Sequence, residues 1–295
     1  MDDVADSRFQ ETLTGVLYVV GTPIGNLEDI TLRALRTLGE VDLIAAEDTR
    51  NTRRLLTRHG INRPLISLHE HNEDRRTAEL ISKLGNGTAI ALVSDAGTPT
   101  VSDPGYRLVK DAVAAGIRVV PIPGPSAAVA ALSVSGLPTD AFLFLGFPPR
   151  KRTKRLKFLG QVAEETKTLI FYESPRRMAD LLADLQDVMG ERRAVLSREM
   201  TKTYEEFMRG TLNKIAAEVE KRKELKGECT LLVEGVNRHE EVSPEKLHEI
   251  VVRELAREDM GASALSRRLA GQYNISKNKV YAEILRLNRS KGKAE

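Results

Sequence analysis

The sequence predicts an α/β fold built on mostly parallel sheets, and three observations support this prediction. Short apolar runs of strand length recur along the chain, separated by segments whose apolar residues follow helical spacing. Such alternation favours parallel sheets with right-handed crossovers. Loops rich in glycine and proline follow several of the predicted strands. Because the carboxyl ends of parallel strands meet at one sheet edge, we expect these loops to form a common site.

The stretch from Thr88 to Gly105, TAIALVSDAGTPTVSDPG, is the centre of this prediction. Its first part, 89–93, is an apolar run without polar alternation, which is typical of a parallel strand covered on both faces. Two glycines and two prolines shape the loop at 94–105 that follows. Glycine permits close backbone approach and proline stiffens a turn, so this loop is predicted to contact a ligand.

The remaining elements of the first half follow from the same patterns. Strands are predicted at 15–20, 41–45, 65–66 and 117–121, and helices at 29–38, 52–59, 77–84 and 106–115. The loops expected at the shared edge are 21–26, 46–50, 94–105 and 123–127.

The second half continues the alternation. Strands are predicted at 142–147, 168–172, 193–197 and 230–233, helices at 127–134, 178–189 and 212–223, and a basic loop at 148–157. A polar linker at 237–242 precedes a helix that begins at Ser243-Pro244. Two more helices, 262–271 and 276–287 with Ser276 as N-cap, have helix–turn–helix spacing, which suits nucleic acid but is also common in helical hairpins.

The length and the charge distribution indicate the number of domains and the kind of binding partner. A chain of 295 residues with 41% hydrophobic residues indicates two domains and an appendage. Lysine and arginine number 45 against 42 acidic residues, so the net charge is small, but the positive charge is clustered. Residues 243–295 hold 11 basic and 7 acidic residues, and 150–157 holds basic residues without an acid. Such clusters indicate phosphate-binding surfaces, although charge runs are also common on solvated faces.

The sequence lacks the residues that several common classes of binding and catalytic site require. The loop at 21–26 lacks the Gly-Lys-Ser/Thr ending of a phosphate-binding loop, and the Gly85-Asn-Gly87 pair precedes its strand, where a dinucleotide fingerprint would follow one. There is no Gly-x-Ser-x-Gly elbow for serine hydrolysis. The five histidines are scattered, so we expect no metal site.

The location is expected to be cytoplasmic. A single cysteine, Cys229, fits a reducing compartment, and its apolar neighbours indicate a buried structural thiol. No apolar run is long enough to cross a membrane. Residues 1–14 are polar and acidic, unlike a signal peptide, and are expected to be a disordered leader.

Five motifs in order carry a resemblance to a known family. They are GTPIGN (21–26), AEDTR (46–50), SDAGTP (94–99), PIPGPSA (121–127) and FYESPRR (171–177). In this order the chain resembles the bacterial ribosomal small-subunit RNA 2′-O-methyltransferases, a branch of the tetrapyrrole methylase superfamily. The resemblance implies two unequal α/β/α domains, 15–122 and 123–237, with S-adenosylmethionine in the cleft between them. It also implies a homodimer, a C-terminal helical RNA-binding domain at 243–295, and a cytidine ribose in the decoding region of 16S ribosomal RNA as substrate.

The resemblance also implies the residues that bind the cofactor. Carried over motif by motif, they are Pro23, Ser94, Asp95, Ala96, Gly97, Val101, Ser126, Ala127, Glu173 and Met200. Two motifs depart from the tetrapyrrole enzymes: their Gly-Asp-Pro is here Ser94-Asp-Ala, and their first-loop Gly-Pro-Gly is Thr22-Pro-Ile. Both departures favour the RNA branch. Asp95 is expected to meet the ammonium or a ribose hydroxyl of the cofactor, unless it caps a turn.

Ribose methylation requires that the 2′-hydroxyl lose its proton. Glu47 follows a predicted strand at the cofactor edge and is the first candidate base, with Asp48 next. Salt bridges from this pair to Arg50 and Arg53 are an equally good interpretation. Residues predicted to contact RNA phosphates are Arg50, Arg53, Arg150, Lys151, Arg152, Lys154, Arg155, Arg176 and Arg177.

Two other functions stay open on the sequence alone. One is a tetrapyrrole C-methyltransferase of the same fold, against which the basic segment and the C-terminal helices argue. The other is a ribosome-binding factor without catalytic activity, which would not gain heat stability from S-adenosylmethionine.

Overall fold

The structure, a computed structural model, describes residues 15–222, 224–236, 243–256, 260–273, 275 and 277–291. The predicted leader at 1–14, the linker at 237–242 and the N-cap Ser276 lie outside the described residues. The chain divides into two compact units, Met1–Glu234 and Gly235–Glu295. The first unit contains both sheets, and the second is helical.

The first sheet is parallel, as the alternation of elements predicts. Its strands are β1 (Val16–Val20), β2 (Leu43–Ala46), β3 (Leu65–Ser67), β4 (Ile90–Val93) and β5 (Arg118–Ile122). They lie in the order β3-β2-β4-β1-β5 with parallel pairing. Every residue of β4 is buried, because strands flank it on both edges and helices cover both faces. The apolar run therefore forms the central strand.

Four helices cover this sheet: α1 (Leu32–Glu40), α2 (Thr49–Arg58), α3 (Glu73–Gly85) and α4 (Tyr106–Ala114). Helix α2 begins three residues before the predicted start, because the Asp48 side chain accepts a hydrogen bond from the Arg50 amide and caps the helix. Helix α3 begins earlier too, with Glu73 and Asp74 in its first turn. Apolar periodicity does not detect polar first turns.

The second sheet is mixed, so the prediction of mostly parallel pairing is wrong for this half. Its strands are β6 (Phe142–Gly146), β7 (Thr168–Glu173), β8 (Arg193–Arg198), β9 (Glu206–Thr211) and β10 (Cys229–Val233). Their order is β6-β7-β10-β8-β9, and among these strands β6 pairs with β7 in parallel while the other pairings are antiparallel. Strand β9 was not predicted, because as an edge strand it alternates charged and apolar residues only weakly.

The helices of this half are α5 (Ala127–Ser135), α6 (Arg152–Gln161), α7 (Met178–Met189) and α8 (Leu212–Glu220). The predicted basic loop at 148–157 is largely helix α6. Within it, the Arg155 guanidinium lies 2.7 Å from the Asp184 carboxylate of α7, and their side chains are only 4% and 2% exposed. The prediction that Arg155 contacts RNA is therefore wrong: this arginine is the buried counter-charge of Asp184.

The C-terminal unit contains α9 (Pro244–Leu255), α10 (Ala262–Tyr273) and α11 (Lys277–Lys291). The Ser243 hydroxyl accepts a hydrogen bond from the Lys246 amide, and Pro244 occupies the first turn, as the sequence predicts. The unit has its own apolar core: Leu247, Ile250, Val251, Leu265, Leu269, Ile275, Val280 and Ile284. None of the helices in the described ranges is long and apolar enough to cross a membrane.

We predict that Asp184→Ala destabilises the protein by about 3–5 kcal/mol, because it leaves the Arg155 charge buried without a partner. Asp187 is the matched control: it also pairs with Arg152, at 3.0 Å, but its side chain is 62% exposed. Asp187→Ala should lower the free energy of unfolding by about 1 kcal/mol or less. Urea denaturation measures both values, and equal losses would contradict the structural role of Asp184.

Candidate functional site

The loops after β1 and β4 are joined by a two-way backbone bridge. The Thr22 amide donates to the Gly97 carbonyl at 2.9 Å, and the Gly97 amide donates back to the Thr22 carbonyl at 3.0 Å. The Thr22 hydroxyl donates to the Ser94 carbonyl at 3.1 Å and is buried. Gly97 has a positive φ of 81°, a conformation that glycine adopts without strain. The bridge fixes two of the loops predicted to form the site.

A close backbone contact between two further glycines places the loop after β5 beside the loop after β1. A Cβ on Gly21 would lie 2.8 Å from the Gly124 Cα, and one on Gly124 would lie 2.9 Å from the Gly21 carbonyl carbon. Since both obstacles are backbone, neither position has room for a side chain. The loops at 21–26, 94–105 and 123–127 therefore meet at one edge, as predicted.

The first loop also joins the two sheets. Ile24 is buried in an apolar cluster with residues of the second half, among them Ile170 and Met200. The Asn26 amide donates to the Thr201 hydroxyl at 3.0 Å. The two α/β halves of the first unit thus share a packed contact beside the site.

Two cavities adjoin this contact. Cavity I has a volume of about 430 Å³ and lies between the loops of the two halves. It is lined by apolar side chains, hydroxyls and carboxylates: Ile24, Ala96, Gly97, Thr98, Val101, Ser102, Asp103, Ser126, Ala127, Phe147, Tyr172, Glu173, Ser174, Pro175, Gly227, Glu228, Cys229 and Thr230.

Cavity II has a volume of about 570 Å³ and lies against helix α2. Its lining is Thr22, Pro23, Ile24, Gly25, Leu27, Asn51, Thr52, Arg54, Leu55, Ser94, Asp95, Ala96, Lys202 and Glu228. The two cavities share Ile24, Ala96 and Glu228, so they are neighbours separated by the loops after β1 and β4.

The predicted cofactor residues divide between these cavities. Cavity I is lined by Ala96, Gly97, Val101, Ser126, Ala127 and Glu173, and cavity II by Pro23, Ser94, Asp95 and Ala96. Met200 is buried in the same apolar cluster as Ile24. The motifs therefore do converge, but Asp95 lies on the cavity II side.

Both carboxylate oxygens of Asp95 are engaged with the start of α2. Oδ1 accepts from the Asp48 amide at 3.1 Å, and Oδ2 accepts from the Asn51 side-chain amide at 3.0 Å. The Asp95 amide donates to the Glu47 carboxylate at 3.2 Å. Asp95 thus ties the loop after β4 to helix α2, which agrees better with the turn-capping interpretation than with a cofactor contact.

The two predicted bases differ in their surroundings. The Asp48 carboxylate accepts hydrogen bonds from the Arg50 side chain and amide, which lower its pKa to about 2. Its shortest contact with the Arg50 guanidinium is 2.6 Å, so the salt-bridge interpretation is correct for this residue and its basicity is poor. Burial raises the pKa of Glu47, and the nearby Asp95 and Asp48 charges add to this effect, whereas the hydrogen bond from the Asp95 amide opposes it.

Sequence reasoning missed a third carboxylate, Asp103, which lines cavity I directly. The pKa of Asp103 is raised to about 6, mainly by burial and also by the charges of Glu47 and Asp95, while a hydrogen bond from the Ser94 side chain opposes the rise. The preceding backbone is strained: Thr100 and Ser102 have φ values of 73° and 68°, a region that non-glycine residues seldom adopt. The available sequence signal was the second turn motif, Ser102-Asp-Pro-Gly.

The predicted RNA contacts also separate into two groups. Exposed positions are Arg50, Arg53, Arg150, Lys151, Lys154 and Arg176. Arg152 is exposed but pairs with Asp184 at 2.8 Å and with Asp187. Arg177 pairs with the buried Glu173 at 2.6 Å and donates to the Pro148 carbonyl at 2.8 Å, so it holds the rim of cavity I together.

Cys229 is buried, as predicted, and burial raises its pKa to about 12. The thiol is therefore protonated and a poor nucleophile at neutral pH. Within the described parts of the chain, no cluster of three or more His, Cys, Asp or Glu side chains could hold a metal ion.

Comparisons with known proteins agree on one family. Residues 16–216 match the family model of the tetrapyrrole (corrin/porphyrin) methylases. A curated relative from Haemophilus influenzae, named ribosomal RNA small subunit methyltransferase I, is 47% identical over 274 residues, covering 91% of this chain and 96% of its own length. A relative of the same name from Halalkalibacterium halodurans is 52% identical over 233 residues, covering 79% and 80%.

Solved structures share the fold at low identity. The methyltransferase CobJ aligns with a TM-score of 0.58 at 20% identity, covering 76% of this chain and 95% of that one. Diphthine synthase aligns with a TM-score of 0.58 at 15% identity, covering 75% and 90%. At these identities the likeness concerns the fold alone.

We predict that Asp103→Asn stabilises the protein at neutral pH and leaves its stability nearly unchanged at about pH 4. A raised pKa means that ionising Asp103 is less favourable in the folded state than in the unfolded state. Stability is therefore lost as the pH rises from about 4 to 6, and the amide avoids this loss. Melting temperatures across this range measure the effect, with the exposed Asp111→Asn as control. A melting temperature of Asp103→Asn that follows wild type at every pH would contradict the prediction.

Proposed function

Since the chain belongs to the tetrapyrrole methylase family, we propose that it methylates the 2′-hydroxyl of a cytidine ribose in the decoding region of 16S ribosomal RNA, with S-adenosylmethionine as methyl donor. Relatives named ribosomal RNA small subunit methyltransferase I, about half identical over most of the chain, support this substrate. Methyltransferases of this family use S-adenosylmethionine. The observation that carries the proposal is the pair of adjoining cavities, of which cavity I is lined by the Asp103 carboxylate.

Cavity I fits the cofactor by the chemistry of its lining. Val101, Phe147 and Tyr172 provide apolar and aromatic surface for an adenine. Hydroxyls of Ser126 and Thr230 and the backbone of the loops provide hydrogen-bond partners for the polar groups. The Tyr172 oxygen accepts from the Ala128 amide at 3.2 Å, which fixes the start of α5 against the cavity.

Charge in cavity I also suits the cofactor. Of the carboxylates that line this cavity, Glu173 is paired with Arg177 and Glu228 with Lys202, so the negative charge that attracts a cation comes mainly from Asp103. The bound cofactor supplies a methyl group on a positively charged sulfur. This chain has to place the ribose oxygen in line with that methyl group and to remove the hydroxyl proton.

For the proton we propose Asp103 as the acceptor in preference to Glu47. Asp103 lines cavity I, and its pKa of about 6 lets it be ionised at pH 7 while remaining more basic than an ordinary carboxylate. Glu47 is held by the Asp95 amide and raises the pKa of Asp103 through its charge. In this assignment Glu47 acts indirectly, by raising the pKa of Asp103.

Exposed basic residues outside the two cavities complete the proposed function. Arg150, Lys151, Lys154 and Arg176 are exposed cations that suit RNA phosphates, and the helical unit α9–α11 supplies a second RNA-binding element. We also propose that the enzyme is a homodimer that acts in the cytoplasm, as the resemblance and the single cysteine imply.

We predict that Asp103→Asn lowers single-turnover methylation of small ribosomal subunits by about 10²–10⁴, the usual contribution of a positioned base. The variant removes the charge and keeps the shape, so its fold should remain. Transfer of a labelled methyl group from S-adenosylmethionine measures the rate, and mapping of 2′-O-methyl positions identifies the nucleotide. Activity should fall below about pH 6 in wild type, where Asp103 becomes protonated.

Glu47→Gln separates the two candidate bases. If Asp103 is the base, Glu47→Gln lowers the pKa of Asp103, shifts the acid limb of the rate to lower pH and leaves the plateau within a few-fold of wild type. A loss of about 10²–10⁴ from Glu47→Gln, with Asp103→Asn nearly normal, would return the role to Glu47.

We predict that Ala127→Leu weakens S-adenosylmethionine binding at least about tenfold, because the larger side chain fills part of cavity I. Val129→Leu on the same helix is the matched control, since Val129 is exposed and outside the cavity lining. Calorimetry measures both dissociation constants, and circular dichroism verifies the fold. Equal affinities would place the cofactor elsewhere.

A further inference from the structure

Helix α2 has an exposed basic face. Arg53, Arg54 and Arg58 are exposed, and together with Thr49, Arg50 and Thr57 they line a groove of about 640 Å³ on the protein surface. The helix contains no acidic residue. Sequence reasoning identified two of these arginines and missed Arg54 and Arg58.

The charge on this face is only partly compensated. Arg50 pairs with Asp48, but within the described residues Arg53, Arg54 and Arg58 make no ion pair. Arg54 stands four residues from both Arg50 and Arg58, and like charges at this spacing destabilise a helix by about 0.2–0.5 kcal/mol per pair. An anion bound in the groove would remove this repulsion.

The chemistry of the groove favours phosphate. A guanidinium binds phosphate with two parallel hydrogen bonds, and the hydroxyls of Thr49 and Thr57 add neutral donors. Residues four apart on a helix rise by about 6 Å, which is comparable with the spacing of consecutive phosphates along one strand. Arg54 and Arg58 have this spacing, so they match two consecutive phosphates of a single extended strand.

The groove continues into cavity II. Arg54 lines both, and Asn51, Thr52 and Leu55 of the same helix form one wall of the cavity. Lys202 lies on the cavity wall contributed by the second half. Since cavity II shares walls with cavity I, a ribose held there would lie next to the proposed methyl donor.

The basic segment at 150–157 carries less uncompensated positive charge than the face of α2. In α6, Arg152 and Arg155 are paired with Asp184 and Asp187, so part of the positive charge at 150–157 is neutralised within the protein. Among the residues that the structure describes, the face of α2 has a single such pair, on Arg50.

We propose that the exposed face of α2 binds the phosphodiester backbone of a single RNA strand, and that cavity II receives the target nucleotide with Arg54 at its entrance. This inference rests on the proposed function, since it concerns how the same substrate reaches the same site. It assigns Arg53, Arg54 and Arg58 to phosphates and cavity II to the nucleoside.

The test uses the full chain with Arg53, Arg54 and Arg58 each changed to glutamine. The probe is a fluorescent single-stranded RNA of about 20 nucleotides, and the measurement is the dependence of log affinity on log salt concentration. Loss of three phosphate contacts should reduce the slope by about 2, at roughly 0.7 per contact on a single strand. The dissociation constant of S-adenosylmethionine, measured by calorimetry, should stay as in wild type.

A control variant has the same change of charge at another place. Arg36, Lys110 and Arg118 are exposed on other elements of the first unit, and changing all three to glutamine should leave the salt dependence nearly unchanged. If this control loses as much slope as the α2 variant, binding follows net charge and the inference fails.

A second variant tests the cavity itself. Leu27 is 40% exposed and lines cavity II but not cavity I, so Leu27→Trp should narrow the nucleotide site without disturbing the fold. We expect KM for small ribosomal subunits to rise at least tenfold with unchanged S-adenosylmethionine affinity. Wild-type KM in this variant would overturn the assignment of cavity II.

Failure of this inference can be told from failure of the proposed function. If the wild-type protein does not methylate small-subunit RNA, the proposed function is wrong. If the wild type methylates and the α2 variant retains both its KM and its salt slope, the function stands and the strand lies elsewhere.

Discussion

The backbone bridge between Thr22 and Gly97 is the constraint on which the site depends. It joins the loops after β1 and β4, two neighbouring strands of the first sheet. Because its hydrogen bonds are between backbone atoms, they do not depend on the identity of a side chain. The contact between Gly21 and Gly124 adds the loop after β5. Three loops from separate strands thereby form one rigid wall between the two cavities, and Ile24, at the tip of this wall, packs into the core of the second half.

A shared wall of this kind suits transfer between two bound molecules. Each cavity has its own lining, and Ile24, Ala96 and Glu228 belong to both. A rigid wall lets binding fix the distance between the donor and acceptor, and positioning of this sort can contribute about 7–11 kcal/mol to catalysis. Most carboxylates of the site are engaged within the protein, among them Asp95, Glu173 and Glu228. This is consistent with an enzyme that relies on alignment and adds one carboxylate, Asp103, for the proton.

The sequence predicted the features that depend on local patterns. Examples are the buried apolar run of β4, the sheet edge at which the loops meet, and the helix start at Ser243-Pro244. Apolar periodicity and capping residues can be recognised over a few neighbouring positions. It failed where partners are distant in the chain. The antiparallel pairing of β10 with β7 and β8, the burial of Arg155 by Asp184, and the raised pKa of Asp103 near Glu47 all depend on residues about 30 or more positions away.

Asp95 connects the proposed chemistry with the proposed RNA surface. Its carboxylate accepts hydrogen bonds from the Asp48 amide and the Asn51 side chain, at the first turn of α2, while its own amide donates to Glu47. The rotation of α2 about its axis, and with it the direction of its arginines, is therefore fixed relative to the loop that holds Asp103. A phosphate bound on α2 and a hydroxyl presented to Asp103 would then have a defined separation. The hydrogen-bonding geometry of the Asp95 side chain, rather than its charge toward the cofactor, is therefore what suits this residue to the site.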